Sequence, residues 1–210
     1  MYLLGREDPY VSASPLMTAV TEDVLDIAKR LGEASPYGRL CPPFLACLDE
    51  LPSTAPVPTL PTRMANERGL GVSFILAVQT WRQLVVCYGE DVARTIMGLS
   101  NNLVTFGGGK DIAFYRELSD LLGTTTHVQL HHTSRDVAHA GSTGTWIPHR
   151  VPVLEAAEIR RLAFGQALLV ADSTAPVIAR VRPCTAGRRG RRERDQQREV
   201  RAAARDPNRD

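Results

Sequence analysis

The run Phe44-Leu45-Ala46-Cys47-Leu48-Asp49-Glu50 delivers two adjacent carboxylates at the end of an apolar stretch that reads as a β-strand. Metal-assisted hydrolysis of a nucleoside triphosphate calls for that arrangement. One acid, Asp49, holds the water shell of a Mg²⁺ ion on the β- and γ-phosphates, and the other, Glu50, polarises the attacking water. A second apolar run, Val72 to Val78, ends on Gln79, and an uncharged amide suits the sensing of a γ-phosphate or the placing of a water. Open parallel sheets bind ligands at the carboxyl ends of their strands. Asp49, Glu50 and Gln79 are therefore expected around one crevice, with Asp49 and Gln79 toward the nucleotide and Asp49 toward the metal. Arg68, beside the Gly69-Leu70-Gly71 break, is the candidate for a guanidinium reaching the phosphates of a neighbouring subunit, with Arg63 as its competitor.

One part of that chemistry does not occur in these residues. No G-x-x-x-x-G-K-[ST] loop, whose backbone N–H groups and Lys cradle phosphates, is present. Gly107-Gly108-Gly109-Lys110-Asp111 fails on spacing and carries an acid where the metal-binding hydroxyl should stand, so it reads as a strand-to-helix turn with Asp111 as helix N-cap. His127, His131, His132, His139 and His149 have no accompanying Cys or acid cluster and read as loop residues rather than a zinc site. No G-x-S-x-G elbow supports a hydrolase triad.

The elements that must position the acids follow from periodicity. Leu16 to Leu31 repeats apolar residues at helical spacing opposite Glu22, Asp23, Asp26, Lys29 and Arg30, which predicts an amphipathic helix lying on a sheet. Leu45 to Leu48 is apolar throughout and reads as a parallel strand buried on both faces. A Pro-rich connection leads to one or two helical turns around Arg63 to Arg68 and then to the strand before Gln79. Two helices, through Trp81 and through Val92, precede a third strand, Leu103 to Phe106, and a helix from Asp111 to Leu122. This alternation predicts an α/β fold with a mainly parallel sheet. Residues 124–150, rich in Ser, Thr and His, read as a flexible loop. A short helix over Glu155 to Leu162 and a hairpin of Gln166 to Ala171 with Val177 to Val181 follow, and the Arg-rich segment 184–210 reads as a disordered or marginally helical tail.

Composition sets the outer limits. The 210 residues are 43% hydrophobic and 23% charged with a formal net charge of +2, ordinary globular material with room for one sizeable core. Four scattered cysteines without a C-x-x-C pair point to a reducing compartment. No stretch approaches the roughly 20 apolar residues of a membrane helix, which gives a cytoplasmic expectation. The Arg-rich tail suits nucleic-acid or acidic-lipid contact through simple charge attraction, or a solvated tail with no partner, and its interleaved acids and lack of aromatics argue against sequence readout or base stacking.

The order of FLACLDE, the PTLP connection, NERGLGVSFILAVQ, YGEDVARTI, LVTFGGGKD, FYRELSDLLG and EIRRL resembles the carboxyl-terminal half of the TraG/TraD-type coupling ATPases of conjugative type IV secretion. The resemblance covers most of residues 1–183. It implies a RecA-like P-loop NTPase core that lacks the Walker A half, with ATP and Mg²⁺ as cofactors. At family level it implies a hexamer anchored to the cytoplasmic face of the inner membrane that moves DNA toward a secretion channel and meets relaxase-type proteins. Asp49 and Glu50 then match the Walker B pair, Gln79 the phosphate-sensing Gln, and Arg68 the arginine finger. Without a Walker A loop this chain is expected not to turn over ATP alone, and to act with full-length or split motor subunits. The alternatives are a catalytically dead recognition module for a DNA-processing complex and a degenerate fragment.

Overall fold

A computed structural model describes residue 3 and residues 12–132 and 144–203. The chain divides into two compact units, residues 1–103 with 109–118, and residues 104–108 with 119–210.

In the first unit, α1 (Ser14–Ala34) starts with Pro15 in its first turn, where the missing N–H leaves no helical bond unmade. Thr21, Leu25, Ala28 and Gly32 form its buried face, the three-to-four spacing of an amphipathic helix. A side chain at position 32 would stand 2.9 Å from the Leu70 carbonyl oxygen, so the last turn of α1 can lie where it does only with Gly there. β1 (Phe44–Leu48) and β2 (Val72–Leu76) pair in parallel, Phe44 opposite Val72 and Leu48 opposite Leu76. The crossover between them holds α2 (Leu51–Thr54), α3 (Leu60–Asn66) and a 3-10 turn over Glu67–Leu70. α4 (Trp81–Tyr88) and α5 (Glu90–Leu99) follow. One core joins Leu25, Ala46, Leu51, Val57, Leu60, Val72, Leu84 and Ile96.

The strands are not buried on both faces as their composition predicts. Ala46 and Val72 are buried, whereas Leu45 is 53% and Ile75 55% exposed, and Cys47 and Ser73 lie open with them. Side chains alternate across a strand, and the core contacts one face; nothing among the described residues covers the other.

β3 (Asn102–Phe106) leads to α6 (Ile112–Leu122), which Asp111 caps as predicted, its Oδ1 accepting from the Phe114 N–H at 3.1 Å. Phe114 stacks on Trp81 with ring centroids 6.1 Å apart.

The second unit holds β4 (Thr124–His132) and β5 (Gly144–Pro152), antiparallel, with Thr124 opposite Pro152 and His132 opposite Gly144. α7 (Ala156–Arg160), β6 (Gln166–Ala171), β7 (Val177–Arg180) and α8 (Arg188–Ala203) complete it. β6 and β7 are the expected hairpin, in a sheet of order β3-β6-β7.

Parallel and antiparallel pairings occur together: β1 with β2 is parallel, and β4 with β5 and β6 with β7 are antiparallel. Two expectations change here. The loop expected over 124–150 is, on either side, the arms of a hairpin, because Thr124, Thr125, Thr126 and Val128 are β-branched and suit strands whatever their polarity; residues 133–143, with His139, lie outside the described residues. Part of the tail expected to be disordered or marginally helical is a 16-residue helix, since Arg, Gln, Glu and Ala all favour helix when no Pro interrupts them.

Candidate functional site

The parallel register brings the carboxyl ends of β1 and β2 level. Backbone bonds extend the pairing one step beyond the strands, Ala77 N–H to Leu48 O at 3.0 Å and Leu51 N–H to Ala77 O at 3.2 Å. Glu50 and Gln79 therefore leave adjacent strands at the same height, and the Gln79 side-chain amide donates to Glu50 Oε1. Both side chains are exposed, as is Asp49 beside Glu50. An acid pair and an amide thus share one end of the sheet.

Two local features hold that end in place. Glu50 has φ 48° and ψ 43°, the left-handed region, and serves as N-cap of α2. A side chain there costs roughly 1–2 kcal/mol of backbone strain, and such residues gather where geometry serves function. Thr80, next to Gln79, is half of a capping box with Gln83 at the start of α4, each accepting from the other's backbone N–H at 3.2 Å. The box fixes the chain direction directly after the amide. The T-x-x-Q spacing was readable in the sequence; the strained Glu50 was not, because Glu has no preference for that region.

The carboxylates of Asp49 and Glu50 and the amide oxygen of Gln79 are hard oxygen donors, the type that suits Mg²⁺ or its bound waters. With its N–H on Glu50, Gln79 keeps its carbonyl oxygen as an acceptor.

The two arginines separate. Arg68 is exposed on the 3-10 turn. Arg63 is 6% exposed and bound on every side: Nη2 donates to Glu22 Oε2 and Asp26 Oδ1 at 2.6 Å each, Nη1 to Glu67 Oε1 at 3.0 Å, and Nε to Thr59 Oγ1 at 2.6 Å. Burial opposes its charge, but the hydrogen bonds it donates to Asp26 and Glu22 and the nearby Glu67 outweigh it and raise its pKa. Glu67 is 4% exposed, and its Oε2 has no hydrogen-bond partner. Arg63 is tied into the fold and cannot reach a neighbouring subunit. This network was missed in the sequence, where the signals were the i, i+4 spacings of Glu22 with Asp26 and Arg63 with Glu67.

Residues 43–164, more than half of the chain, match the family model described as the TraM recognition site of TraD and TraG. The chain belongs to this TraG/TraD family. No curated protein matches it. Among solved structures, the bacterial conjugative coupling protein TrwBdeltaN70 in its unbound monoclinic form shares the fold with a TM-score of 0.62 at 20% identity, over 81% of this chain and 38% of that one. The plasmid coupling protein TrwB in complex with the non-hydrolysable ATP analogue ADPNP aligns with a TM-score of 0.57 at 22% identity, over 81% and 38%. TrwB in complex with ADP and Mg²⁺ gives 0.59 at 21%, over 81% and 37%. The TraG/TraD chain spans well under half the length of these structures and shares their mixture of helices and strands. Among its described residues no helix is long and apolar enough to cross a membrane.

Proposed function

We propose that this chain supplies the acid pair, the sensing amide and the finger of a RecA-like ATP-hydrolysing centre in a conjugative DNA-transfer motor. The observation that carries the reading is the Glu50–Gln79 hydrogen bond across the ends of the parallel pair, which joins a water-polarising carboxylate to an amide at the place where parallel sheets take ligands. In the proposal Asp49 orders the Mg²⁺ water shell, Glu50 accepts the proton of the attacking water, and Gln79 reports the γ-phosphate through its contact with Glu50. Arg68, exposed and on a turn, is free to meet the phosphates of a second subunit; Arg63 is not. The nucleotide complexes of TrwB support ATP and Mg²⁺ as the cofactors. The family description, a TraM recognition site, supports relaxosome-type proteins as partners; DNA and a hexamer of motor subunits are part of the proposal.

Bound Mg²⁺ would offset phosphate charge and activate water, but a phosphate cradle must come from residues other than these. Mg-ATP turnover by the purified chain alone is therefore expected to be negligible. When a polypeptide carrying a G-x-x-x-x-G-K-[ST] loop is added, hydrolysis is expected to appear, and Glu50→Gln to lower kcat by roughly 10²–10⁴-fold with nucleotide binding retained. Equal rates for the wild type and Glu50→Gln in that mixture would sink the assignment, and robust hydrolysis by the chain alone would overturn the division of labour.

A further inference from the structure

The second unit contains an open cleft of about 630 Å³, lined by residues of the turn after β3, the end of α7 with the turn before β6, and the segment after β7. Its volume lies within the roughly 300–1,000 Å³ of ligand pockets. Three guanidiniums line it, Arg160, Arg161 and Arg182, and no carboxylate does. All three are exposed, and no ion pair among the described residues engages any of them. The apolar lining includes Leu162, Val181, which is 41% exposed, Phe106, which is 55% exposed, and Phe164, which is 101% exposed. A fully exposed Phe beside three unpaired guanidiniums combines the residue types that dominate binding energy at protein interfaces, aromatic and Arg.

The walls are fastened to one another. Gly108 N–H donates to Arg160 O at 2.8 Å, and Val181 N–H to Gly165 O at 2.7 Å. A side chain at position 107 would stand 2.5 Å from the Leu162 carbonyl oxygen, so Gly107 permits the close approach that shapes one side. The cleft is formed before anything enters it, which spares a ligand the entropy of ordering it.

We propose that this cleft binds an acidic peptide segment carrying one bulky apolar side chain. That side chain lies against Leu162, Val181 and Phe164, and carboxylates on either side of it meet Arg160, Arg161 and Arg182 through charge-assisted, bidentate hydrogen bonds. The excess of guanidinium over carboxylate selects an anionic partner, and the shape selects a peptide. Single-stranded nucleic acid calls for successive aromatic platforms along a basic track, whereas here Phe106 and Phe164 share one concavity with the aliphatic Leu162, Val181 and Pro183. None of the lining residues belongs to the proposed nucleotide centre, so either reading can fail without the other.

Fluorescence anisotropy with the full chain tests it at about 0.15 M salt, where long-range attraction is largely screened. The probe is a fluorescein-labelled peptide with one Leu between runs of Asp and Glu. Saturable binding is expected, weakened about tenfold or more by Arg161→Glu, by Arg182→Glu, and by replacing the peptide's Leu with Ser. Charge reversal on the exposed helix α8, Arg191→Glu with Arg192→Glu, is expected to leave it unchanged. Because the cleft arginines are exposed, the variants should keep the wild-type far-UV circular dichroism and thermal midpoint. Absence of peptide binding, binding indifferent to Arg161→Glu, loss of binding on reversal of α8, or preference for an oligo-dT of equal charge would each overturn the proposal.

Discussion

Arg63 in the first unit and the cleft arginines in the second occupy opposite surroundings. At Arg63 one guanidinium faces three carboxylates, its own side chain 7% exposed and that of Glu67 6%. In the cleft three exposed guanidiniums face no carboxylate. The first site uses its charge inside the fold, tying α1, α3 and the 3-10 turn together. The second keeps its charge for something outside. Sequence neighbourhood does not separate these cases, since Arg63 sits five positions from Arg68, yet only Arg68 is exposed. What distinguishes a structural arginine from one available for binding is whether its donors are already taken.

The largest expected effect breaks or upholds that contrast directly. Arg63→Ala leaves Glu22, Asp26 and Glu67 facing one another without a cation, and removing one partner of a buried ion pair costs about 3–5 kcal/mol. Asp26 is 58% exposed and can turn to solvent, so the lower end, about 3 kcal/mol, is expected. Arg161→Ala and Arg182→Ala should each stay within roughly 0.5 kcal/mol of the wild type. Urea unfolding of the three variants gives the comparison, and an Arg63→Ala chain no less stable than Arg161→Ala would erase the distinction.

The same contrast shows what the sequence could and could not disclose. The helix of α1, the Asp111 cap, the two strands before Glu50 and Gln79, and the β6–β7 hairpin were all readable, because each depends on local periodicity or on a capping residue. That Glu50 and Gln79 end neighbouring strands was expected because successive strands of a βαβ unit usually lie side by side, though their direct hydrogen bond was not. Three further things were not readable. Burial of β1 on one face depends on what packs there, not on the strand's composition. The hairpin arms of β4 and β5 carry their signal in β-branched Thr, which polarity masks. The Arg63 network and the arginine cleft join residues far apart in sequence, Glu22 to Arg63 and Arg161 to Arg182, so no window along the chain contains them.

A smaller effect probes the strained end of β1. Glu50 holds φ 48°, a conformation open to Gly without a steric penalty. Glu50→Gly and Glu50→Ala both remove the carboxylate and the contact with Gln79, so their difference isolates the backbone. Glu50→Gly is expected to be the more stable of the two by about 1 kcal/mol, and both should abolish nucleotide turnover in the reconstituted assay. Equal unfolding midpoints for Gly and Ala would mean that this turn is not strained. In that case the exposed acid site, unlike the cleft with its close approach at Gly107, owes its form to side-chain chemistry alone.

The smallest effect is a pH dependence that divides the two regions again. The hydrogen bond from Arg63, with help from the charges of Arg63, Arg30 and Lys29, holds the Asp26 carboxyl below its ordinary value of 3.8. A carboxyl whose pKa is depressed on folding binds fewer protons in the native state. Its contribution to stability is complete above 3.8 and is lost as pH falls through the lower folded value. Asp26→Asn should therefore be less stable than the wild type near neutrality, with the gap closing as the pH falls below that value. The cleft arginines have no acid partner to protonate, so Arg182→Ala should track the wild type across the same range. Parallel curves for the wild type and Asp26→Asn at every pH would show that the exposed end of the Arg63 network contributes through packing rather than charge.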